Sequence, residues 1–235
     1  MKILSVLLQI TMPGDTSPDI VNQIVPPDAR MNVIDLAFKG GWIMIVLLIL
    51  SLIATYVFIQ RLLIIRQAAK TDESFMSRIT DYIHDGKVDS ALNLCRSTNS
   101  PTARMIGKGI SRLGRPTSDV LVTVENAGNI EVAKLERGFP IIATVAGGAP
   151  MIGFLGTVTG MVRAFYDMAN AGTNVDISLL SSGIYEALVT TIGGLVVGIV
   201  AMFAYNYLVS LVANVVNNLE TSTMDFMDLL NEPSK

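Results

Sequence analysis

Apolar positions along this chain gather into three long blocks instead of recurring singly every three or four residues. The first, Trp42 to Gln60, contains no charged residue and is followed by Arg61. The second runs from Phe139 to Val162 between Arg137 and Arg163, and it is crowded with Gly147, Gly148, Gly153, Gly156 and Gly160, together with Pro140 and Pro150. The third follows Asp176, where Glu186 is the only charged residue before Glu220. A helix needs about 20 apolar residues to cross about 30 Å of hydrocarbon. Each block therefore predicts a transmembrane helix, over 41–61, 139–166 and 184–212. The third block is longer than a bilayer requires, so its helix is expected to continue beyond the membrane.

Between the first two blocks the pattern changes. Over 62–138, apolar residues such as Phe75, Ile79 and Ile83 fall at helical spacing among charged ones, which predicts amphipathic helices packed as a bundle. Helix starts are expected near Thr71 or Asp72 and at Thr117 or Ser118, the latter after the breakers Gly114 and Pro116. Asp119, Glu125, Glu131 and Glu136 interleave with Lys134 and Arg137, as in a helix that runs on into the second span. Residues 1–40 form a separate N-terminal segment. Its first twelve residues read either as a truncated signal peptide without a small-residue cleavage site or as an amphipathic stretch on the outer membrane surface. A loop is expected over 167–183 and a C-terminal helix or tail over 213–235.

Charge sets the orientation. Twelve of the 17 Lys and Arg residues lie between Arg61 and Arg137, whereas Arg163 alone separates the second and third spans. Positive residues are retained on the cytoplasmic side, so the large loop is expected inside, the N-terminus outside and the C-terminus inside. The expected fold is thus an all-α integral membrane protein with three transmembrane helices extending into a cytoplasmic helical bundle.

Composition supports this and removes other classes. Apolar residues make up 51% and charged residues only 16% of the 235 positions, against about 25% charged in soluble domains. A net charge of −3 provides no basic field for nucleic acid. Cys95 is the only cysteine and His84 the only histidine, so metal-ligand spacing and an internal disulfide are both lacking. The Gly147–Gly148 pair is followed by Pro150 and not by Lys-Ser or Lys-Thr, so no phosphate-binding loop is present. Neither an enzyme nor a cofactor is indicated.

What remains is polar chemistry at membrane depth. Glu186 is the ionisable residue of the third span, either hydrated at the outer interface or acting as a carboxylate at a pore mouth. Gly183, Ala187, Thr191, Gly194, Gly198 and Ala201 recur at steps of three and four, a seam of small residues that suits close helix packing or, in a ring of subunits, a channel wall. On the second span, Gly153 and Thr157 are four apart, as are Gly156 and Gly160. Counted from the outer ends of their spans, Thr157 and Thr191 lie at similar depth, about 10 to 14 Å in. One layer of hydroxyls could hydrate a narrow pore or receive a partner's carboxylate. Alternatively, each hydroxyl simply bonds a carbonyl of its own helix.

Two of these stretches, APMIGFLGTVTGMVRAF at 149–165 and SGIYEALVTTIGGLVVGIVAMFAYNYL at 182–208, resemble the ExbB/TolQ/MotA family of ion-channel stator proteins, and the ExbB and TolQ branch most of all. The resemblance covers about 40–220 and is weaker in the loop, where ALNLCRSTNSPTARMIGKGI carries it. It implies an inner-membrane, proton-driven subunit, typically five copies around two single-span ExbD-type helices whose intramembrane aspartate carries the proton, working with a TonB-like protein. The alternatives are a TolQ-like role in envelope maintenance, a MotA-like motility stator, or a non-conducting membrane scaffold. By the same resemblance Thr157 and Thr191 are pore-facing, Glu186 is the outer carboxylate, and Pro150 distorts the second span. Two positions depart from many relatives. Val200 stands where a proline is common, implying a straighter third span, and Thr159 stands where some carry an aromatic.

Overall fold

The computed structural model describes residues 40–70, 74–170 and 177–231, with the side chains of 177–179 left aside. Every regular element in this range is helical: α1 Gly41–Ala68, α2 Ser74–His84, α3 Val88–Ser97, α4 Pro101–Ile110, α5 Thr117–Glu136, α6 Phe139–Asn170 and α7 Ile177–Asn231. The expectations for the N-terminal segment and for a helix start at Thr71 or Asp72 lie outside the described residues.

Three of these helices, α1, α6 and most of α7, are long and apolar enough to cross a membrane. At 1.5 Å per residue, the 55-residue α7 is about 82 Å long. It therefore carries the third apolar block and the expected C-terminal element as one rod, unbroken through Val200, and begins before the expected start at Ile184. The loop expected over 167–183 is correspondingly shorter, because α6 reaches Asn170 and α7 begins at Ile177.

The joints are written in the chain. Ser100 caps α4 by accepting a hydrogen bond from the Ala103 amide at 3.1 Å, and Pro101 supplies the first helical residue. After α2, Gly86 has φ +70°, and the amides of Gly86 and Lys87 donate back to the Ile83 and Tyr82 carbonyls, a Schellman end. The sequence suggested one helix running from Thr117 into the second span. Instead, α5 stops at Glu136 and α6 starts at Phe139, separated by Arg137 in a non-helical conformation and Gly138 at φ +97°. A side chain at Gly138 would also crowd Arg61 Nε, 3.2 Å from an added Cβ.

Helices α2 to α5 pack with the ends of α1 and α7 around one core. Ile65 from α1, Phe75 and Ile79 from α2, Ile106 from α4, Val124 from α5 and Phe226 from α7 are all buried. Burying side chains of this size contributes about 1.5–3 kcal/mol each, so this end of the molecule is held as a soluble helical bundle is held.

Candidate functional site: the seam between α6 and α7

Helices α6 and α7 meet along a face of small residues, and the contacts are backbone to backbone. A Cβ added at Gly194 would stand 2.6 Å from the Ala149 carbonyl oxygen and 2.8 Å from Gly153 Cα. One added at Gly153 would stand 2.8 Å from the Thr190 carbonyl oxygen and 3.0 Å from Gly194 Cα. Gly160 faces Ala187 and Gly183, and Gly183 in turn faces Ala164. Between two membrane helices there is no hydrophobic gain over lipid, so close van der Waals approach and polar contacts must hold them. Gly153, Gly156, Gly160, Gly194 and Gly198 all serve this seam. Gly147 and Gly148 do not, since nothing lies within 4 Å of a Cβ on either.

Pro150 sits inside α6 without ending it. Its nitrogen cannot donate to the Ala146 carbonyl one turn earlier. That carbonyl faces Gly198, where an added Cβ would be 3.0 Å from the Ala146 oxygen and 2.5 Å from the proline ring. The ring and the Ala146 carbonyl thus occupy the hollow left by a residue without a side chain.

The hydroxyls divide into three kinds. Thr191 Oγ1 donates across the seam to the Gly153 carbonyl at 3.3 Å, while Thr157 Oγ1 donates within α6 to the Phe154 carbonyl at 2.6 Å. Gly153 and Thr157 are one turn apart on α6, so the two threonines flank the same stretch of seam, both half-buried. Thr159 is exposed and bonds the Leu155 carbonyl at 3.0 Å. The most enclosed hydroxyl is Thr190, 1% exposed, packed against Gly156 and bonded to the Ala187 carbonyl at 2.8 Å. The reading of the seam through Thr191 missed Thr190. The wheel alone does not separate the two: at about 100° per residue Thr190 falls about 20° outside Gly183 on one edge of the small-residue stripe and Thr191 about 20° outside Gly198 on the other, so only the packing against Gly156 singles out Thr190.

Glu186 is not joined to the threonines. A Cβ at Gly41, whose φ is +64°, would overlap Glu186 Oε1, so the half-buried carboxylate rests on the first turn of α1. A negative group there faces the unpaired amides and the positive end of the helix dipole.

Near the C-terminal end of α5, a second polar cluster is built differently. Glu131 is buried and accepts from Arg104 Nε at 2.8 Å and from Lys134 Nζ at 2.6 Å, while Arg104 also reaches Asn99 Oδ1 at 2.9 Å. Burial alone would raise the Glu131 carboxyl, but the hydrogen bonds and charges of Arg104 and Lys134 together outweigh it and hold the group below its ordinary value. Nearby, Cys95 is buried and its thiol is pushed up to about 11.

Residues 97–221 match the family model described as the MotA/TolQ/ExbB proton channel family. The Tol-Pal system protein TolQ of Haemophilus influenzae is 31% identical over 215 residues, covering 85% of this chain and 92% of that protein. An ExbB-like biopolymer transport protein of Synechocystis is 29% identical over 192 residues, covering 77% of this chain and 72% of its own. The biopolymer transport protein ExbB of Xanthomonas campestris is 35% identical over a shorter 98 residues, 42% of this chain and 38% of that one.

Proposed function

Because the chain belongs to the MotA/TolQ/ExbB proton channel family, we propose that it is the channel-wall subunit of an inner-membrane motor that uses the proton gradient to energise TonB-dependent transport across the outer membrane. In this reading about five copies surround two single-span ExbD-type partners, a TonB-like protein receives the work, and membrane lipid surrounds the ring. The N-terminus lies in the periplasm, and the α2–α5 bundle and C-terminus lie in the cytoplasm. The twelve cations between Arg61 and Arg137 support that orientation.

The observation that carries the proposal is the pair of half-buried threonines at one stretch of a rigid seam. Each hydroxyl proton is engaged by a carbonyl, which leaves the oxygen lone pairs to accept a hydrogen bond. A protonated aspartic acid on a partner helix can donate to them. When ionised, it can instead receive a hydroxyl proton after a rotamer change. The partner carboxyl takes its proton from the periplasmic side, past Glu186, and releases it toward the cytoplasm. One charge crossing about 100 mV supplies about 2.3 kcal/mol, so a few protons suffice for a mechanical step.

Thr157→Val and Thr191→Val keep the shape and remove the hydroxyl. Each is expected to lower proton flux about tenfold, the worth of one well-placed hydrogen bond, with the complex intact. Glu186→Gln is expected to slow flux and spare assembly. Unchanged flux through an assembled Thr157→Val or Thr191→Val complex would sink the role of that layer. A second client is favoured by one observation: the similarity to a Tol-Pal TolQ protein runs over 92% of that protein. Purification from native membranes separates the two, a TonB-like chain supporting uptake and a Pal-linked set supporting envelope maintenance.

A further inference from the structure

Away from the glycine seam, α7 turns another face toward α1, and there the helices do not close. A cavity of about 480 Å³ lies between them, walled by Ser51, Thr55 and Phe58 of α1 and by Val200, Ala204 and Tyr207 of α7. On α1, Ser51, Thr55, Phe58, Leu62 and Arg66 follow one another at helical steps of three and four, so the face that lines the groove leads down to a guanidinium. Arg66 is exposed, and its Nη2 lies 3.5 Å from the Tyr207 hydroxyl, the edge of hydrogen-bonding distance. Among the described residues no carboxylate pairs with it.

Size and charge select the occupant. From Ser51 to Leu62 the face runs about 16 Å at 1.5 Å per residue, close to one leaflet of a core about 30 Å thick. Apart from the hydroxyls of Ser51, Thr55 and Tyr207 the lining is wholly apolar, as the tail of a lipid requires. A single polymethylene chain is thin enough. The cation at the end of the groove calls for a phosphate, which a guanidinium grips with paired hydrogen bonds, and basic pockets between membrane helices on the cytoplasmic side suit anionic headgroups.

We propose that this groove holds one acyl chain of an anionic phospholipid whose phosphate pairs with Arg66, in the leaflet on the side of the α2–α5 bundle. The lipid completes the contact between α1 and α7 that protein side chains leave open. Only the name of that leaflet, cytoplasmic, rests on the orientation proposed above.

The test uses the full-length protein with its co-purifying chains, delipidated by detergent exchange. It is then titrated with phosphatidylglycerol or phosphatidylcholine of the same chain length and followed by native mass spectrometry. Phosphatidylglycerol is expected to be retained about fivefold more tightly, the worth of one cation near an anionic headgroup. Arg66→Gln should erase the difference and Arg66→Lys should restore part of it. Ala204→Leu, which fills the groove, should weaken both lipids. Equal retention of the two lipids by the wild type, or an Arg66→Gln protein that melts normally and keeps the preference, would overturn the proposal. So would a photocrosslinker at Ser51 that captures a neighbouring chain instead of lipid. All readouts are binding and none is flux, so failure here leaves the channel reading untouched.

Discussion

The two ends of this molecule are held together by opposite means. In the α6–α7 seam the contacts are made by what is missing: at Gly153 and Gly194 the backbones meet at distances that a single methyl would violate. In the α2–α5 bundle they are made by what is present: Phe75, Ile79, Ile106 and Phe226 fill the core, and the Glu131 carboxylate ties α4 to α5. Water explains the difference. It rewards burial of large apolar side chains in the bundle, whereas in hydrocarbon the same side chains gain nothing by leaving lipid, and only closer approach does. Under the proposed channel function, a rigid seam beside a conventional bundle suits a wall that holds a hydroxyl layer in register while its far end stays anchored.

The sharpest way to break this comparison is one methyl group on each of two glycines in α6 and α7. Gly194→Ala places a Cβ against backbone atoms of Ala149 and Gly153, which cannot rotate away. We expect a cost of about 3 kcal/mol, the upper range for overpacking, read as loss of proton flux and a weakened complex on native gels. Gly148→Ala meets nothing within 4 Å and is expected to be neutral, or to gain up to about 1 kcal/mol from helix propensity. Equal damage from both would mean that the Gly148 face is itself covered by a neighbour in the assembly.

A smaller effect is expected at the bundle. Glu131→Gln removes two charge-assisted hydrogen bonds, but Arg104 and Lys134 are 44% and 61% exposed and can return to water. The expected cost is about 1–2 kcal/mol, measured as a lower melting temperature of the bundle with disulfide crosslinking across the seam unchanged. The sign with pH follows from the depressed carboxyl. Its stabilisation is complete above the unfolded value near 4.5 and is lost as pH falls through the lower folded value. The gap between wild type and variant should therefore narrow on acidification below about 4.5.

The mildest effect is read at a buried thiol of the bundle. Cys95 is buried with its thiol near 11, so little of the reactive thiolate exists at pH 8. Maleimide labelling should run at least about tenfold slower than for an exposed thiol. Glu131→Gln should speed it by loosening the bundle, and Gly194→Ala should leave it unchanged. If the seam variant opens Cys95 as readily, the two regions are one cooperative unit and not two.

The three spans were legible because hydrocarbon demands a long apolar run with its backbone bonded internally. The small-residue seam was legible for the same reason, since glycines at steps of three and four have little use on a lipid-facing surface. Its register was less so. Spacing alone admitted Thr191 to the seam and passed over Thr190, and it gave no reason to treat Gly147 and Gly148 differently from Gly153. The break at Arg137–Gly138 was hidden because acidic and basic residues continue at helical spacing up to it, while the reversal of φ belongs to one glycine.

By itself, the sequence determined the helical class, the number of apolar spans, the sidedness of charge and the identity of the small-residue faces, all properties that follow from local period and transfer energy. Tertiary structure alone decided which glycines meet backbone and which meet open space, that Glu186 rests on Gly41, that Thr191 reaches the Gly153 carbonyl, and that α1 and α7 leave a groove above Arg66. These depend on how one helix is rotated and shifted against another. A shift of about 1.5 Å, one residue of rise, exchanges every such contact while leaving each helix's own pattern unchanged.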